Sequence, residues 1–214
     1  MPCRSTQTEK EIKMKYIIMC GRGTICQVPK QMVEIKGVPV VKRTINLLRQ
    51  NGVEDIAIST NNDAFGRYEV PLLKHKNEGR WINGFYPMDE PVCYIFGDVV
   101  FSPEAIKTIV ETETNDIEFF ASAPPFGPKY PKGWAEPFAF KVQNTKRFFE
   151  CVKTTNRYAD QHLWKRDPIA WELWQIIKGG ELNEIDYTNY VAINDYTCDI
   201  DWQMDVAYYN NSDI

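Results

Sequence analysis

The order of apolar segments, glycines and helical periodicity near the start of the chain constrains the fold most. An apolar run at 16–19 is followed by a Gly-Arg-Gly-Thr loop at 21–24. A helical pattern then covers 40–51, and a second short apolar segment covers 55–58. Glycines that follow a buried strand leave backbone N–H groups open to an anion, because no side chain obstructs them. This segment therefore predicts a strand, a phosphate-binding loop, a helix and a second strand.

Apolar segments of strand length recur along the chain, with helical periodicity between several of them. The predicted strands are 16–19, 56–58, 92–96, 117–121, 138–142 and 190–193. Further predicted helices cover 103–110, 144–154 and 168–177, and the first of them has Ser102 as N-cap and Pro103 at its first position. Strands that alternate with helices favour a mostly parallel sheet, in which ligands bind at the carboxyl ends of strands.

These patterns predict one α/β domain with a mostly parallel central sheet flanked by helices. The length of 214 residues is enough for one sizeable core and does not require a second domain. We expect this Rossmann-type domain to cover 14–214, and we expect the polar segment 1–13 to be a flexible leader.

Composition and charge exclude several classes of protein. The formal net charge of −4 argues against a protein that coats nucleic acid, because neutralising phosphates needs a basic face. Apolar runs are too short for a membrane span, so we expect a cytoplasmic protein without a membrane partner. The six cysteines include no Cys-x-x-Cys pair, so the sequence indicates neither a zinc site nor a disulfide framework.

The segment 18–39 resembles the opening signature of the nucleotidyltransferases, in particular the sugar-phosphate and phosphocholine cytidylyltransferases. That signature is Leu-Ala-Ala-Gly-x-Gly-Thr-Arg, then Pro-Lys, then Gly-x-Pro before a helix. Here it reads Ile-Met-Cys-Gly-Arg-Gly-Thr-Ile at 18–25, Pro-Lys at 29–30 and Gly-Val-Pro at 37–39. The resemblance implies a nucleotide-diphospho-sugar transferase-like fold. It also implies that the nucleotide is bound by Cys20, Gly21, Gly23 and Thr24.

One departure from the signature bears on the phosphates. Ile25 stands where the family has an arginine, and the stretch before Pro29 is short. Neutralisation of the phosphates would then depend on Lys30 and Arg22, which are the catalytic cations that the resemblance implies.

Two aspartates match the metal ligands of the same family. Asp98 follows the apolar strand 92–96, and Asp201 lies in a segment that resembles the family pattern Val-Asp-Thr-Pro-Glu-Asp-Leu. Asp199 is the alternative to Asp201, and Asp205 is expected to cap the helix that follows. Two carboxylates together with substrate phosphates provide the oxygen ligands that Mg²⁺ prefers. The resemblance therefore implies a magnesium site at Asp98 and Asp201, with Asp98 also a catalytic residue.

The remaining candidates concern the base and the acceptor. Asn61 is polar enough to read a base edge, although polar loop residues often only face water. Glu136 and Trp134 lie at the end of a loop rich in proline, glycine and aromatic residues, and such loops often form an acceptor pocket. With Tyr130 and Phe138 they could surround a quaternary ammonium group, because aromatic faces and a carboxylate attract a cation. A packed loop without a ligand is an equally good interpretation.

The resemblance implies a magnesium-dependent transfer of a nucleotidyl group, CMP from CTP being the first expectation, to a small phosphorylated acceptor. Pyrophosphate would be released, and the product would serve the synthesis of surface polysaccharides such as capsules. A homodimer is a further expectation. Two alternatives stay open: a glycosyltransferase of related fold that consumes a nucleotide sugar, and a catalytically silent nucleotide-binding domain, which Ile25 favours.

Overall fold

A seven-stranded mixed sheet forms the centre of the protein. The computed structural model describes residues 14–21, 23–74, 79–122, 135–182 and 184–213. The predicted leader 1–13 and the candidate residues Arg22, Tyr130 and Trp134 lie outside the described residues.

Strands and helices follow one another in the order that the sequence pattern predicts. The strands are β1 (Lys15–Met19), β2 (Thr24–Ile25), β3 (Val28–Pro29), β4 (Glu34–Ile35), β5 (Val38–Pro39), β6 (Ile56–Ser59), β7 (Leu72–Leu73), β8 (Val92–Phe96), β9 (Val99–Val100), β10 (Ile117–Ser122), β11 (Glu136–Val142), β12 (Val191–Ala192) and β13 (Cys198–Asp199). The helices are α1 (Val40–Gln50), α2 (Pro103–Glu111), α3 (Thr145–Asp160), α4 (Ala170–Ile177) and α5 (Gln203–Asn211).

The central sheet has the strand order β12-β10-β11-β8-β1-β6-β7. The pairs β1–β6, β1–β8, β6–β7 and β10–β12 are parallel, whereas β11 runs antiparallel to both β8 and β10. This confirms a mostly parallel sheet with a single reversed strand. All six predicted strands belong to it, and the short edge strand β7 is the member that the periodicity did not predict.

Helix ends follow local sequence signals. The Ser102 hydroxyl accepts a hydrogen bond of 2.9 Å from the N–H of Ala105, and Pro103 occupies the first turn of α2, as predicted. The Asn144 side chain caps α3 through the N–H of Arg147 at 3.1 Å. This helix extends to Asp160, six residues beyond the predicted end at Thr154, because its apolar face continues past that point.

Aromatic side chains fill the core between the sheet and α3 and α4. The ring of Phe148 on α3 stacks on Tyr94 of β8 with centroids 5.6 Å apart, and Phe119 stacks on Phe140 at 4.5 Å. Trp171 on α4 meets Phe119 edge-on at 5.0 Å. These contacts fix the helices against the face of the sheet, so that the strand ends form a rigid edge. Among the described residues, no helix combines the length and the apolar character that crossing a membrane requires.

Candidate active site

The candidate site lies along the edge of the sheet where the parallel strands end. Strands β1, β6 and β8 point their carboxyl ends to this edge. Because β11 runs in the opposite direction, its first residue, Glu136, reaches the same edge. Loop residues that follow β1, β6 and β8 therefore meet the start of β11, which is the position where open α/β sheets bind ligands.

A close approach between β1 and the β8–β9 turn positions Asp98. The N–H of Gly97 donates to the carbonyl oxygen of Met19 at 3.0 Å. A Cβ at position 97 would lie 2.5 Å from that oxygen, so only glycine fits there. The turn therefore holds Asp98 directly beside the end of β1.

A short hairpin returns Lys30 to the glycine loop. The strands β2 and β3 pair antiparallel, and the turn residues Cys26 and Gln27 have φ angles of 49° and 69°, the left-handed values that a tight two-residue turn needs. The N–H of Lys30 then donates to the carbonyl oxygen of Gly23 at 2.9 Å. A Cβ at Gly23 would lie 3.1 Å from the Lys30 stem, so this glycine gives the lysine side chain room to pass.

Pairing between β9 and β13 brings the C-terminal aspartates to Asp98. Asp199 stands opposite Val99 in this pair, and the N–H of Ile200 donates to the Asp98 carbonyl at 2.9 Å. Asp205 accepts hydrogen bonds from the N–H groups of Asp201 and Trp202 at 2.7 and 2.8 Å. The expected role of Asp205 as the cap of the following helix is confirmed.

The ammonium group of Lys30 lies between two of the predicted metal ligands. Its Nζ atom is 2.5 Å from an oxygen of Asp201 and 3.8 Å from an oxygen of Asp98. The structure thus brings together Lys30, Asp98 and Asp201. Lys30 and Asp201 are 171 residues apart in the sequence. A cation already sits between these carboxylates, which is the placement that a divalent ion at this point would also take.

Charge and burial shift the pKa values of these groups. Burial, and then the charge of Asp199, raise the pKa of Asp98 to about 6, although Lys30 acts in the opposite direction. Burial alone would lower the pKa of Lys30, but its hydrogen bond to Asp201 and the surrounding carboxylates raise it. Burial, together with the charge of Asp98, also raises the pKa of the Cys20 thiol, so Cys20 is a neutral wall residue rather than a thiolate.

The carboxylates at this position suit Mg²⁺. Asp98, Asp199 and Asp201 offer hard oxygen ligands, and the charge of Asp199 contributes, after burial, to the raised pKa of Asp98. One ligand atom from each of Glu136, Cys198 and Asp199 also lies within 4.8 Å of the others. The charge of Asp199, the alternative to Asp201, acts on Asp98, so Asp199 is close enough to contribute. The three carboxylates fit a magnesium ion, whereas the Cys198 thiol is not a ligand that Mg²⁺ prefers.

A cavity of about 840 Å³ opens beside these groups. Its volume is in the range of sites for small ligands and cofactors. The predicted site residues that line it are Cys20, Gly21, Gly23, Thr24, Lys30, Asn61, Asp98, Glu136 and Asp201. These nine predicted residues therefore face one cavity, whereas Phe138, a candidate for the ligand cage, does not line it.

Solved structures of similar fold are known. A protein assigned as a glucose-1-phosphate thymidylyltransferase from Bacillus anthracis, in complex with sucrose, aligns with a TM-score of 0.63 and 16% identity, covering 92% of this chain and 94% of its own. The inositol-1-phosphate CTP transferase from T. maritima aligns with a TM-score of 0.56 and 15% identity over 94% and 97% of the two chains. The fold is that of the nucleotidyltransferases.

A third nucleotidyltransferase-type structure agrees with this fold. HddC from Yersinia pseudotuberculosis, in complex with GMP-PN, aligns with a TM-score of 0.54 and 14% identity, covering 91% of this chain and 96% of its own. No protein-family model and no curated protein matches the sequence.

The polar side chains that follow β6 make different contacts. Asn62 accepts a hydrogen bond from the N–H of Ala64 at 3.0 Å and so caps the 3₁₀ turn Asp63–Tyr68. Arg67 bonds to the carbonyl of Ala64 and does not line the cavity. Asn61 and Asn62 both line it, beside Thr60. Because the Asn62 side chain is used to cap the turn, Asn61 is the candidate for a base contact.

The aromatic residues near Glu136 differ from the predicted set. Phe138 points into the core with 0% exposure, so it cannot form part of a ligand cage. The cavity wall next to Glu136 instead contains Trp171 and Tyr187, whose ring centroids are 4.8 Å apart. Sequence reasoning missed Tyr187 because neither its neighbours nor its spacing resembles a motif.

Two arginines of the cavity wall also escaped the sequence reasoning. Arg80 and Arg166 come from irregular segments that precede β8 and α4. The signal available for both was a charged residue within two positions of an aromatic or proline residue in a loop, which is weak evidence for a site. Their location becomes apparent only from the long-range packing around the cavity.

Proposed function

We propose that this protein is a magnesium-dependent nucleotidyltransferase that moves a nucleoside monophosphate from a nucleoside triphosphate to a small phosphorylated acceptor. The observation that carries this proposal is the position of Lys30 between Asp98 and Asp201, at the mouth of a cavity that also contains Gly21 and Gly23. A cationic side chain, glycine N–H groups and converging carboxylates are together what a metal-bound triphosphate requires.

In the proposed reaction an acceptor phosphate oxygen attacks the α-phosphorus of the triphosphate. A new oxygen–phosphorus bond forms, the bond from the α-phosphorus to the bridging oxygen breaks, and the electron pair leaves with pyrophosphate. Lys30 and the N–H groups around Gly21 and Gly23 bind the triphosphate and orient it for in-line attack. Mg²⁺ held by Asp98 and Asp201, with Asp199 nearby, would neutralise the charge that develops on the leaving group.

The acceptor needs no general base in this scheme. A phosphate monoester is already an anionic nucleophile at neutral pH, so no side chain has to remove a proton from it. The neutral Cys20 thiol and the acidic Asp98 are accordingly used for binding and not for proton transfer. Alignment and charge neutralisation provide the rate enhancement.

CTP is the triphosphate that we propose, with a sugar phosphate, phosphocholine or another small phosphorylated metabolite as acceptor. One structure of the same fold is named a CTP transferase. Asn61, which follows β6 and lines the cavity, is the proposed contact to the base. A product linked to CMP would serve surface polysaccharide synthesis. The cytoplasmic location and the homodimer stay predictions.

Pyrophosphate release tests the proposal. The protein is incubated with Mg²⁺, each of the four common ribonucleoside triphosphates, and a panel of phosphorylated acceptors. We expect acceptor-dependent release with one triphosphate, and loss of that release in Lys30→Ala and Asp98→Ala. Binding of a triphosphate without release from any pair would favour a silent nucleotide-binding domain. Turnover of a nucleotide sugar without pyrophosphate would favour a glycosyltransferase.

A further inference from the structure

Arg166 presents an oriented guanidinium group to the cavity. It precedes α4, and its Nε atom donates to an oxygen of Glu172 at 2.7 Å. Its side chain is 54% exposed and lines the cavity. Within the described part of the chain, its two terminal Nη groups have no hydrogen-bond partner. The bond at Nε therefore fixes the plane of the group while both Nη groups stay available.

Glu172 is buried, and both of its oxygens are used. Its side chain is only 3% exposed. One oxygen accepts from the N–H of Ile169 at 2.9 Å, which is the reciprocal bond of a helix N-terminus, and the other accepts from Arg166. Capping needs only the first of these bonds. Because burying an ionised carboxylate is costly without a charged partner, the second oxygen ties Arg166 to a rigid point in the fold.

Arg80 anchors the loop that carries Arg166. It donates to Asp160 at 2.7 Å and lies 3.6 Å from an oxygen of Asp167, the residue after Arg166. Its charge is thus already paired, and its contacts hold the segment that precedes α4 against the end of α3. Among the described residues, Arg166 is the cation of this wall whose Nη donors remain available to a ligand.

We propose that Arg166, positioned by Glu172, binds the phosphate group of the acceptor. This inference rests on the proposed function and identifies the acceptor side of the cavity: Arg166 precedes α4, whose Trp171 packs on Phe119 of β10, whereas Lys30 lies beside Asp98 and Asp201. The planar guanidinium forms two parallel hydrogen bonds to a phosphate, which a lysine at this position would not form. Trp171 and Tyr187, whose rings contact each other, line the same cavity. Arg166 is a binding residue, and Glu172 is a positioning residue.

Titration with inorganic phosphate tests the inference without knowledge of the substrates. Phosphate also binds to the triphosphate side, so the titration is done in a Lys30→Ala background and followed by ³¹P NMR. We expect Arg166→Gln to weaken phosphate binding at least about tenfold. Arg49→Gln, a change on the exposed surface of α1, serves as the matched control and should leave it unchanged. Equal binding in the Arg166 variant and its parent would overturn the inference, as would equally tight binding of acetate.

Glu172→Gln separates positioning from general structural support. The variant keeps an acceptor for the N–H of Ile169 but loses the charge that faces Arg166. Glu172→Gln should weaken phosphate binding in the Lys30→Ala background. It should have no further effect when Arg166→Gln is also present, since Glu172 and Arg166 act through one contact. An equal loss in both backgrounds would show that Glu172 only supports the fold and would remove it from the proposal.

A separate measurement keeps this inference distinct from the proposed function. Triphosphate binding by Arg166→Gln alone should equal that of the unchanged protein, because the inference assigns Arg166 to the acceptor and Lys30 to the triphosphate. Loss of triphosphate binding in this variant would overturn the assignment of Arg166 to the acceptor. Failure of every triphosphate to react would overturn the proposed function, while the phosphate titration would still decide the role of Arg166.

Discussion

At the level of single residues, Lys30 would compete with a metal ion for the carboxylates of Asp98 and Asp201. Its ammonium group contacts Asp201 and lies near Asp98, so both carboxylates are partly neutralised. In the proposed function, a bound triphosphate would offer the lysine a better partner, and the carboxylates would become available to Mg²⁺. Lys30 would then link triphosphate binding to metal binding.

We expect Lys30→Ala to bind Mn²⁺ more tightly than the unchanged protein does when no nucleotide is added. Removal of one adjacent positive charge should raise the affinity about tenfold, and electron paramagnetic resonance of free Mn²⁺ measures it. Triphosphate binding should weaken in the same variant. Lys107→Ala, an exposed lysine on α2, is the control. Unchanged or weaker Mn²⁺ binding would show that Lys30 does not compete with the metal.

The proposed role of Asp98 would come at the expense of stability. Its pKa is raised to about 6, above the value of about 3.9 for an unperturbed aspartate. The folded protein therefore holds this proton more tightly than the unfolded chain does. The free energy of unfolding should fall as the pH rises from about 4 to about 6, and metal binding should weaken as the pH falls below about 6.

Asp98→Asn should consequently stabilise the metal-free protein at pH 7 while abolishing activity. We expect a gain of about 1 kcal/mol by urea denaturation, less than the full pKa difference implies because the side chain is 31% exposed. Nucleotidyl transfer should fall at least about 100-fold. Asp63→Asn, an exposed aspartate, should change neither quantity. A loss of stability in Asp98→Asn would contradict this explanation of the raised pKa.

At the scale of elements, the β8–β9 turn determines where Asp98 lies. Gly97→Ala would place a Cβ 2.5 Å from the Met19 carbonyl oxygen, so one of the two strands has to shift. We expect the free energy of unfolding to fall by about 2 kcal/mol. Gly21→Ala is the matched control, since nothing lies within 4 Å of a Cβ at Gly21. Urea denaturation measures both, and equal stability of the two variants would refute the role of this close approach.

Elements with a long periodic pattern could be predicted, and of the two-residue strands only β12 was, because its apolar neighbours extend the run to 190–193. The strands β1, β8 and β11 contain five to seven residues, which is enough to show an apolar run. The hairpin of β2 and β3 and the pair of β9 and β13 use strands of two residues each, and two residues carry no periodicity. Yet these short pairs bring Lys30 and Asp201 to Asp98. The sequence therefore predicted the site residues but not the contacts that assemble them.

At the scale of the whole molecule, the cavity divides into a side that the sequence predicted and a side that it did not. Lys30, Asp98 and Asp201 belong to motifs that resemble a family, because triphosphate and metal binding demand particular residues at particular spacings. Arg166 and Tyr187 come from irregular segments whose position depends on how α4 packs on the sheet. If these residues bind the acceptor as proposed, no shared pattern would mark them in the sequence, because binding loops vary with their ligand.

Following the α- and γ-phosphorus atoms of the triphosphate is the most direct test of nucleotidyl transfer. The reacting triphosphate is supplied with ³²P at either the α or the γ position, together with Mg²⁺ and the acceptor found by pyrophosphate release. We expect the α-label to move into a nucleotide-linked acceptor and the γ-label to appear in pyrophosphate. Both transfers should be lost in Asp98→Asn. Label from the γ position in the acceptor, or in inorganic phosphate while the α-label stays in a nucleoside diphosphate, would contradict nucleotidyl transfer.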